Sequence, residues 1–296
     1  MLRISLLLSC LTQTVFAALT TPSRDETRSP LTATPARFGF LYGNGASSDK
    51  TGSDFSWEQM TLQGGFGLNT KISDEMTLFY GLGYRLTRID QGASPRREEL
   101  DDLHNLSLPI SAIYHRENSP WTFFAQLSGE LASDFKHLGS DDYDFTAKLA
   151  AQYEFSDSFT LNFGLSRSRN FGEARVIPGL GFTWIPADEW ALTLIGPRIT
   201  LSHRFNENLV VRAGGFPMGG LWNVEEDSGE SVDYGFRSYN AGIGLDYKLR
   251  HGVWLTVWAG ATFANELQAE LRNDRLFKDE LDSGFFGYVG INLYEW

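Results

Sequence analysis

Two short constellations in the chain have the residue types of a hydrolytic site. Asp142-Tyr143-Asp144 sets two carboxylates two positions apart, and Asp102-Leu103-His104 sets a carboxylate two positions from an imidazole. On an extended backbone that spacing puts both members of each pair on one face, where paired acids and an Asp–His couple can do acid–base chemistry on water. Parity opposes a joint site. Asp142 and Asp144 share the face of Thr146 and Lys148, whereas Asp102 and His104 share that of Leu106, Leu108 and Ile110. Ser202 and His203 are strand neighbours, so their side chains leave on opposite faces and make no nucleophile–base pair. His104, His115, His137, His203 and His251 lack the close spacing of a zinc site and read as rim or turn residues. No catalytic residue, metal or cofactor is expected.

The charged positions form a more coherent set. On alternating segments, one face carries Arg85, Lys148, Arg198, Arg204 and Arg212 together with Glu130, Asp144, Glu154, Asp246 and Glu266. The signs nearly balance. Inward-facing charge needs water or a partner, because burying it unpaired is expensive. These residues therefore either line an aqueous pore or pair across a closed lumen, and a ring of many strands favours the pore by its width.

The elements that carry these residues have a period of two. Met76, Leu78, Tyr80, Leu82 and Tyr84 alternate with Thr77, Phe79, Gly81, Gly83 and Arg85, and residues 142–155 alternate in the same way. One face suits lipid and the other water, the pattern of a membrane β-barrel. Aromatics at 14% and 30 glycines, with a mean hydropathy of only -0.24, fit that dilution of apolar by polar positions. After the first residues no run approaches the ~20 apolar residues of a membrane helix.

The chain opens Met1-Leu2-Arg3, continues through Ile4-Ser5-Leu6-Leu7-Leu8 and reaches Val15-Phe16-Ala17, a basic start, an apolar stretch and a small-residue cleavage site. Residues 1–17 are thus expected to be a signal peptide, a reading ranked above acylation at Cys10. Residues 18–35, rich in Thr, Ser and Pro, are expected to be a flexible N-terminal segment, and 36–296 a single barrel. Without Cys10 the mature chain has no cysteine, so pairing and burial alone must hold it together. A net charge of -12 argues against nucleic acid as a partner.

Connections alternate in length. Short turns at 73–75, 117–120, 157–158, 186–189, 206–208 and 251–252 alternate with longer links at 46–56, 91–101, 135–141, 171–174, 218–232 and 272–283. Outer-membrane barrels sort their loops in this way, short on the periplasmic side and long outside. Tyr114, Trp121, Phe155, Phe159, Trp184, Trp190, Tyr247 and Trp254 lie near the short turns, as one interfacial aromatic ring requires. Fourteen strands result, with Gly196-Pro197 as a tight external turn where the apolar parity flips; twelve is the alternative. The fold class expected is all-β, a transmembrane antiparallel up-and-down β-barrel. The acidic run Glu225, Glu226, Asp227, Glu230 and Asp233 reads as a solvated external loop. Arg167 and Arg169, on lipid parity at the external end, are expected to meet lipopolysaccharide phosphates.

The end of the chain, through Phe286, Tyr288, Tyr294 and Trp296, resembles the C-terminal signature of bacterial outer-membrane proteins. It departs from that pattern in its final Trp and in Asn292. The resemblance implies recognition by the barrel-assembly machinery and a setting of outer-membrane lipid and lipopolysaccharide. The mature chain as a whole resembles poorly characterised exported barrel proteins of no known substrate. The Asp pairs resemble those of omptin-type proteases in spacing only. The function expected is a passive channel for small solutes with weak charge selectivity. A plugged structural or surface-binding barrel is the alternative, and a rim-located protease or lipase-type barrel enzyme ranks below both.

Overall fold

The computed structural model describes residues 36–48, 54–90, 100–136, 138–168, 175–225, 230–271 and 274–293. They form β1 (Ala36–Ser48), β2 (Asp54–Lys71), β3 (Met76–Asp90), β4 (Leu100–His115), β5 (Trp121–Ser133), β6 (Tyr143–Ser156), β7 (Phe159–Ser168), β8 (Arg175–Ala187), β9 (Trp190–Ile195), β10 (Arg198–Asn206), β11 (Leu209–Glu225), β12 (Ser231–Arg250), β13 (Val253–Leu271), β14 (Asp274–Leu281) and β15 (Gly284–Leu293). A single turn of 3₁₀ helix, Ser140–Asp142, precedes β6.

From β1 to β13 each strand pairs antiparallel with its sequence neighbours, β13 pairs with both β14 and β15, and β15 returns to pair with β1, so the sheet closes. β14 and β15 pair with successive stretches of β13 and count as one position around the sheet, which gives a fourteen-stranded ring. Closure leaves no edge along most of the wall and satisfies the ladder without disulfides. The strands that the expected turns and links delimit end within a few residues of the observed ones, with two exceptions. The links 218–232 and 272–283 are largely strand, because β11 runs on to Glu225 and β14 occupies 274–281. Gly219-Gly220 and the polar run after Trp222 in the first, and the charged run around Lys278-Asp279-Glu280 in the second, read as loops in the sequence. Residues 1–35, 91–99, 169–174 and 226–229 lie outside the described residues, and with them the leader, Arg169, Glu226 and Asp227.

The outward face is apolar along the strands. Phe285 (74% exposed), Ile243, Leu149 and Leu127 stand free on it, alternating with buried polar residues such as Lys148 and Gln126's neighbour Ser128. At the short-turn end, ring contacts run from strand to strand: Trp121 on Tyr153 (4.8 Å), Phe155 on Phe159 (5.9 Å), Phe159 on Phe182 (5.9 Å) and Trp190 on His203 (4.3 Å). The expected member Trp254 is not among them. It faces inward and is buried, with the Lys248 ammonium over its ring.

Candidate functional site

The interior divides by height. Towards the short-turn end it is polar, with Gln63, Gln152, Asn162, Thr183, Thr193, Thr200 and Ser202 all buried. Towards the long-loop end it is an apolar, aromatic core. Leu41, Trp57, Ile89, Leu103 and Ala132 from β1–β5 meet Phe216, Met218 and Trp222 of β11, Val232, Tyr234 and Phe236 of β12, and Leu267 and Ala269 of β13.

A wall strand alternates inward and outward residues, so it buries every second side chain. The far ends of β11, β12 and β13 do not. Met218, Gly219 and Gly220 are buried in succession, as are Tyr234, Gly235 and Phe236, and Asn265 through Ala269. A strand buried on both faces has left the wall. These strand ends, with β14, fold into the lumen as a cover lying against β1–β5.

The bend follows a line of irregularities at one level. Pro217 sits on β11 opposite Tyr239, the β12–β13 register slips between Arg237 and Tyr239, and Ala264 on β13 has φ 49°. The position shared by β14 and β15 breaks at Asp282-Ser283. The carbonyl exposed by that break is capped by Trp57 Nε1 (3.2 Å) and Asn265 Nδ2 (2.9 Å). Across the lumen, Asn223 on β11 bridges to Ser133 on β5, and Arg85 donates to the Gly219 carbonyl at 3.0 Å with its guanidinium 5.7 Å over Trp222.

The charged residues expected inside are placed as follows. Arg212 and Asp246 pair at 2.6 Å, each side chain 5% exposed, and Asp246 also accepts from Thr256, which Asn292 reaches in turn. Arg85 and Lys148 are buried. Glu130 accepts from Thr146 at 3.0 Å and is half-buried, as are Glu154, Arg198 and Arg204. Glu266 binds both Arg237 and Lys278 at 2.7 Å inside the cover. Asp144 is held by Arg167 at 2.8 Å, and the Arg167 guanidinium also lies 4.2 Å over the Phe145 ring.

The remaining motifs separate. Asp102 faces outward in an ion pair with Arg88 (2.6 Å), His104 meets the Tyr84 hydroxyl (2.7 Å) and stacks on Phe135, while Asp142 is buried and accepts from the Gly139 N–H. The two pairs form no joint site. Phe286 and Tyr288 turn inward to the core and Phe285 and Val289 outward, so the even-numbered face of β15 is not the lipid-parity face. The packing of Phe286 edge-on to Phe216 (5.8 Å) holds it there. Tyr294 and Trp296 lie outside the described residues. In the turn after β2, Lys71 donates to Asp74 at 2.7 Å and keeps that carboxyl below its ordinary range.

These features define a closed, fourteen-stranded antiparallel β-barrel with an in-folded cover. The chain belongs to the family described as Domain of unknown function (DUF6268), whose model matches residues 40–294. No curated protein matches it in sequence. Among solved structures it is similar to the COG4313 outer membrane channel from Pseudomonas putida F1, at 10% identity and TM-score 0.48, covering 90% of this chain and 96% of that one. It is also similar to the TodX deltaS2S3 mutant monoaromatic hydrocarbon channel (12% identity, TM-score 0.44, 95% and 94% covered) and to a Pseudomonas aeruginosa FadL homologue (11% identity, TM-score 0.37, 94% and 93% covered).

Proposed function

We propose that the protein is an outer-membrane channel for small solutes, held shut at its external mouth by the in-folded ends of β11–β14. The apolar outward band and the aromatic contacts at one end support the membrane setting, since a soluble surface rarely carries so large an apolar area. In that setting the short turns are periplasmic and the long links external. A closed gate rather than a permanent bore is supported by one observation above all. The cover is made of strand ends that stay paired with one another, β11 with β12, β12 with β13 and β13 with β14, while folding inward, so the same sheet can be accommodated in the wall or in the lumen.

The polar lower interior suits a hydrated vestibule. Gln63, Asn162, Thr183 and Thr193 carry buried polar atoms without protein partners, positions that water fills in such interiors. The inward charges are of both signs, and Asp246 and Glu266 are each paired with a cation, which supports weak charge selectivity once the mouth opens.

Planar-bilayer recording tests the reading. Wild-type protein is expected to stay closed for most of the trace, and Met218→Ala with Trp222→Ala to raise the open fraction by roughly tenfold or more, as follows from loosening a packed two-state element. Cation and anion permeabilities in the open state should differ by no more than about threefold, the outcome expected of mixed-sign linings. Silence of both proteins would leave a plugged structural barrel instead.

A further inference from the structure

The cover leaves something behind in the wall. β9 has six residues and β10 nine, whereas β8 and β11 beside them have 13 and 17. At about 3.3 Å per residue and a tilt near 40°, six residues rise only about 15 Å, against an apolar band of about 25 Å. The wall is low here. The β8–β9 pairing stops at Gly181↔Ile195 and the β10–β11 pairing at Ile199↔Gly215. Above those levels, among the described residues, β8 (175–180) has a strand partner only on its β7 side, and β11 (216–225) turns inward.

Each border of this gap carries a proline at a telling position. The N–H and C=O of one residue point to the same side of a strand and alternate along it. On β8, Ile185 donates to Ser158 at the β7 side, and Leu180 accepts from Gly196 at the β9 side, so even-numbered residues face the gap. Pro178 is one of them. On β11, Lys248 donates to Asn208, so even-numbered residues face β12 and odd-numbered ones face the side where β10 has ended. Pro217 is one of those. Pro197 forms the sill between β9 and β10. A missing N–H is harmless only where no ladder partner is required, and proline is a device for keeping an edge unpaired. The gap is therefore written into the sequence at all three borders.

Bare strand edges do not face hydrocarbon, and non-helical backbone at that depth persists where it lines a water-accessible cavity. Val176 and Leu180, both 67% exposed on the outward face, place the edge beside lipid, while Ile177 and Gly179 look inward. Phe216, the first β11 residue beyond the last β10 pairing, is buried and lies edge-on to both Trp258 and Phe286 at 5.8 Å. From this geometry we infer that the notch above Gly196-Pro197 is a lateral portal between the lumen and the outer leaflet, through which a small, uncharged apolar solute passes by way of the Phe216–Trp258–Phe286 box. The inference deepens the channel reading and rests on it.

Fluorescence quenching tests the portal without requiring transport. Single cysteines at Ile177, Gln126 and Leu127 in a Cys10-free chain are labelled with bimane and placed in vesicles of phosphatidylcholine brominated at mid-chain. Leu127 faces outward, and Gln126 faces inward behind a fully paired wall. Although Ile177 faces inward, its label is expected to be quenched within about twofold of the Leu127 label and several-fold more than the Gln126 label, because short-range quenching reports direct lipid contact. Quenching at Ile177 no stronger than at Gln126 overturns the portal and leaves the channel standing. A second variant, with two residues inserted on each side of Gly196-Pro197, raises the sill. It should slow entry of the apolar dye N-phenyl-1-naphthylamine several-fold through the reconstituted protein and leave a hydrophilic tracer unchanged. Undiminished dye entry in that variant also overturns the portal, whereas passage of neither probe by the wild type or by Met218→Ala with Trp222→Ala refutes the channel reading itself.

Discussion

Asn223 near the end of β11 and Ser133 at the end of β5 are bridge partners in a parallel sense, although every other pairing in the barrel is antiparallel. Their strands lie far apart around the ring, so only a strand crossing the lumen brings them together. Ser133→Cys with Asn223→Cys, in a Cys10-free background, is expected to form a disulfide on mild oxidation, since bridge partners have Cα atoms about 5 Å apart, within disulfide range. Gel mobility with and without reductant reports the bond. The oxidised protein should show no channel openings and regain them on reduction. Failure to cross-link would remove the cover from the lumen.

Arg85 holds the cover from the opposite wall, through the Gly219 carbonyl and the Trp222 ring. Arg85→Met keeps most of the stem's bulk but removes the donor and the cation. A hydrogen bond from a charged group contributes about 1.5–3 kcal/mol and a desolvated cation–π contact up to ~2 kcal/mol. Burial of the charge offsets part of that. The expected result is a modest shift to the open state, about tenfold in open fraction, with unfolding in urea little changed because the wall ladder is intact. An unchanged open fraction would show that Arg85 does not restrain the cover.

Deeper in the barrel, Arg212 and Asp246 form a pair with both side chains 5% exposed. Asp246→Asn leaves a buried guanidinium without its counter-charge, which costs about 3–5 kcal/mol, whereas replacing both partners by apolar residues is often neutral. Equilibrium unfolding in lipid vesicles should therefore rank Asp246→Asn well below wild type and Arg212→Met with Asp246→Leu close to it. The reverse ranking would mean that water, not Asp246, solvates Arg212.

The barrel is legible in the sequence because its signals are local. Alternation over 76–85 and 142–155 needs only neighbours, and the tight turn at Gly196-Pro197 shows in the flip of apolar parity. The cover is not legible for the same reason. Residues 218–225 read as loop because consecutive Gly219 and Gly220 and the polar run after Trp222 match no single-face strand, and burial on both faces comes from β5 and β3, far away in sequence. Phe286 and Tyr288 show the same limit: their inward face is set by Phe216 and the core, not by the pattern of β15. The three prolines around the notch carried a signal that could have been read. Each interrupts a strand or its turn at the external end, but only the ladder registers show that they border one gap.

Gly244 on β12 is inward-facing beneath the core, and a Cβ there would stand 2.2 Å from Cε2 of Trp258, which is itself 1% exposed. Glycine at 244 is thus the space that the Trp258 indole occupies. Gly244→Ala must push the indole toward Phe216, its edge-on neighbour at 5.8 Å, and crowding of this kind costs about 1–3 kcal/mol. The cover rests on that box, so the strain acts on the cover before it acts on the wall. The variant is expected to show altered near-ultraviolet circular dichroism, a higher open fraction and a small loss in unfolding free energy. Trp258→Leu creates a void of its own, yet it frees the position that the new methyl needs. Gly244→Ala in the Trp258→Leu background should therefore be milder than in the wild type, a coupling that a double-mutant cycle measures directly. Simple additivity would show that the indole moves away without disturbing Phe216, and that the box is not what supports the cover.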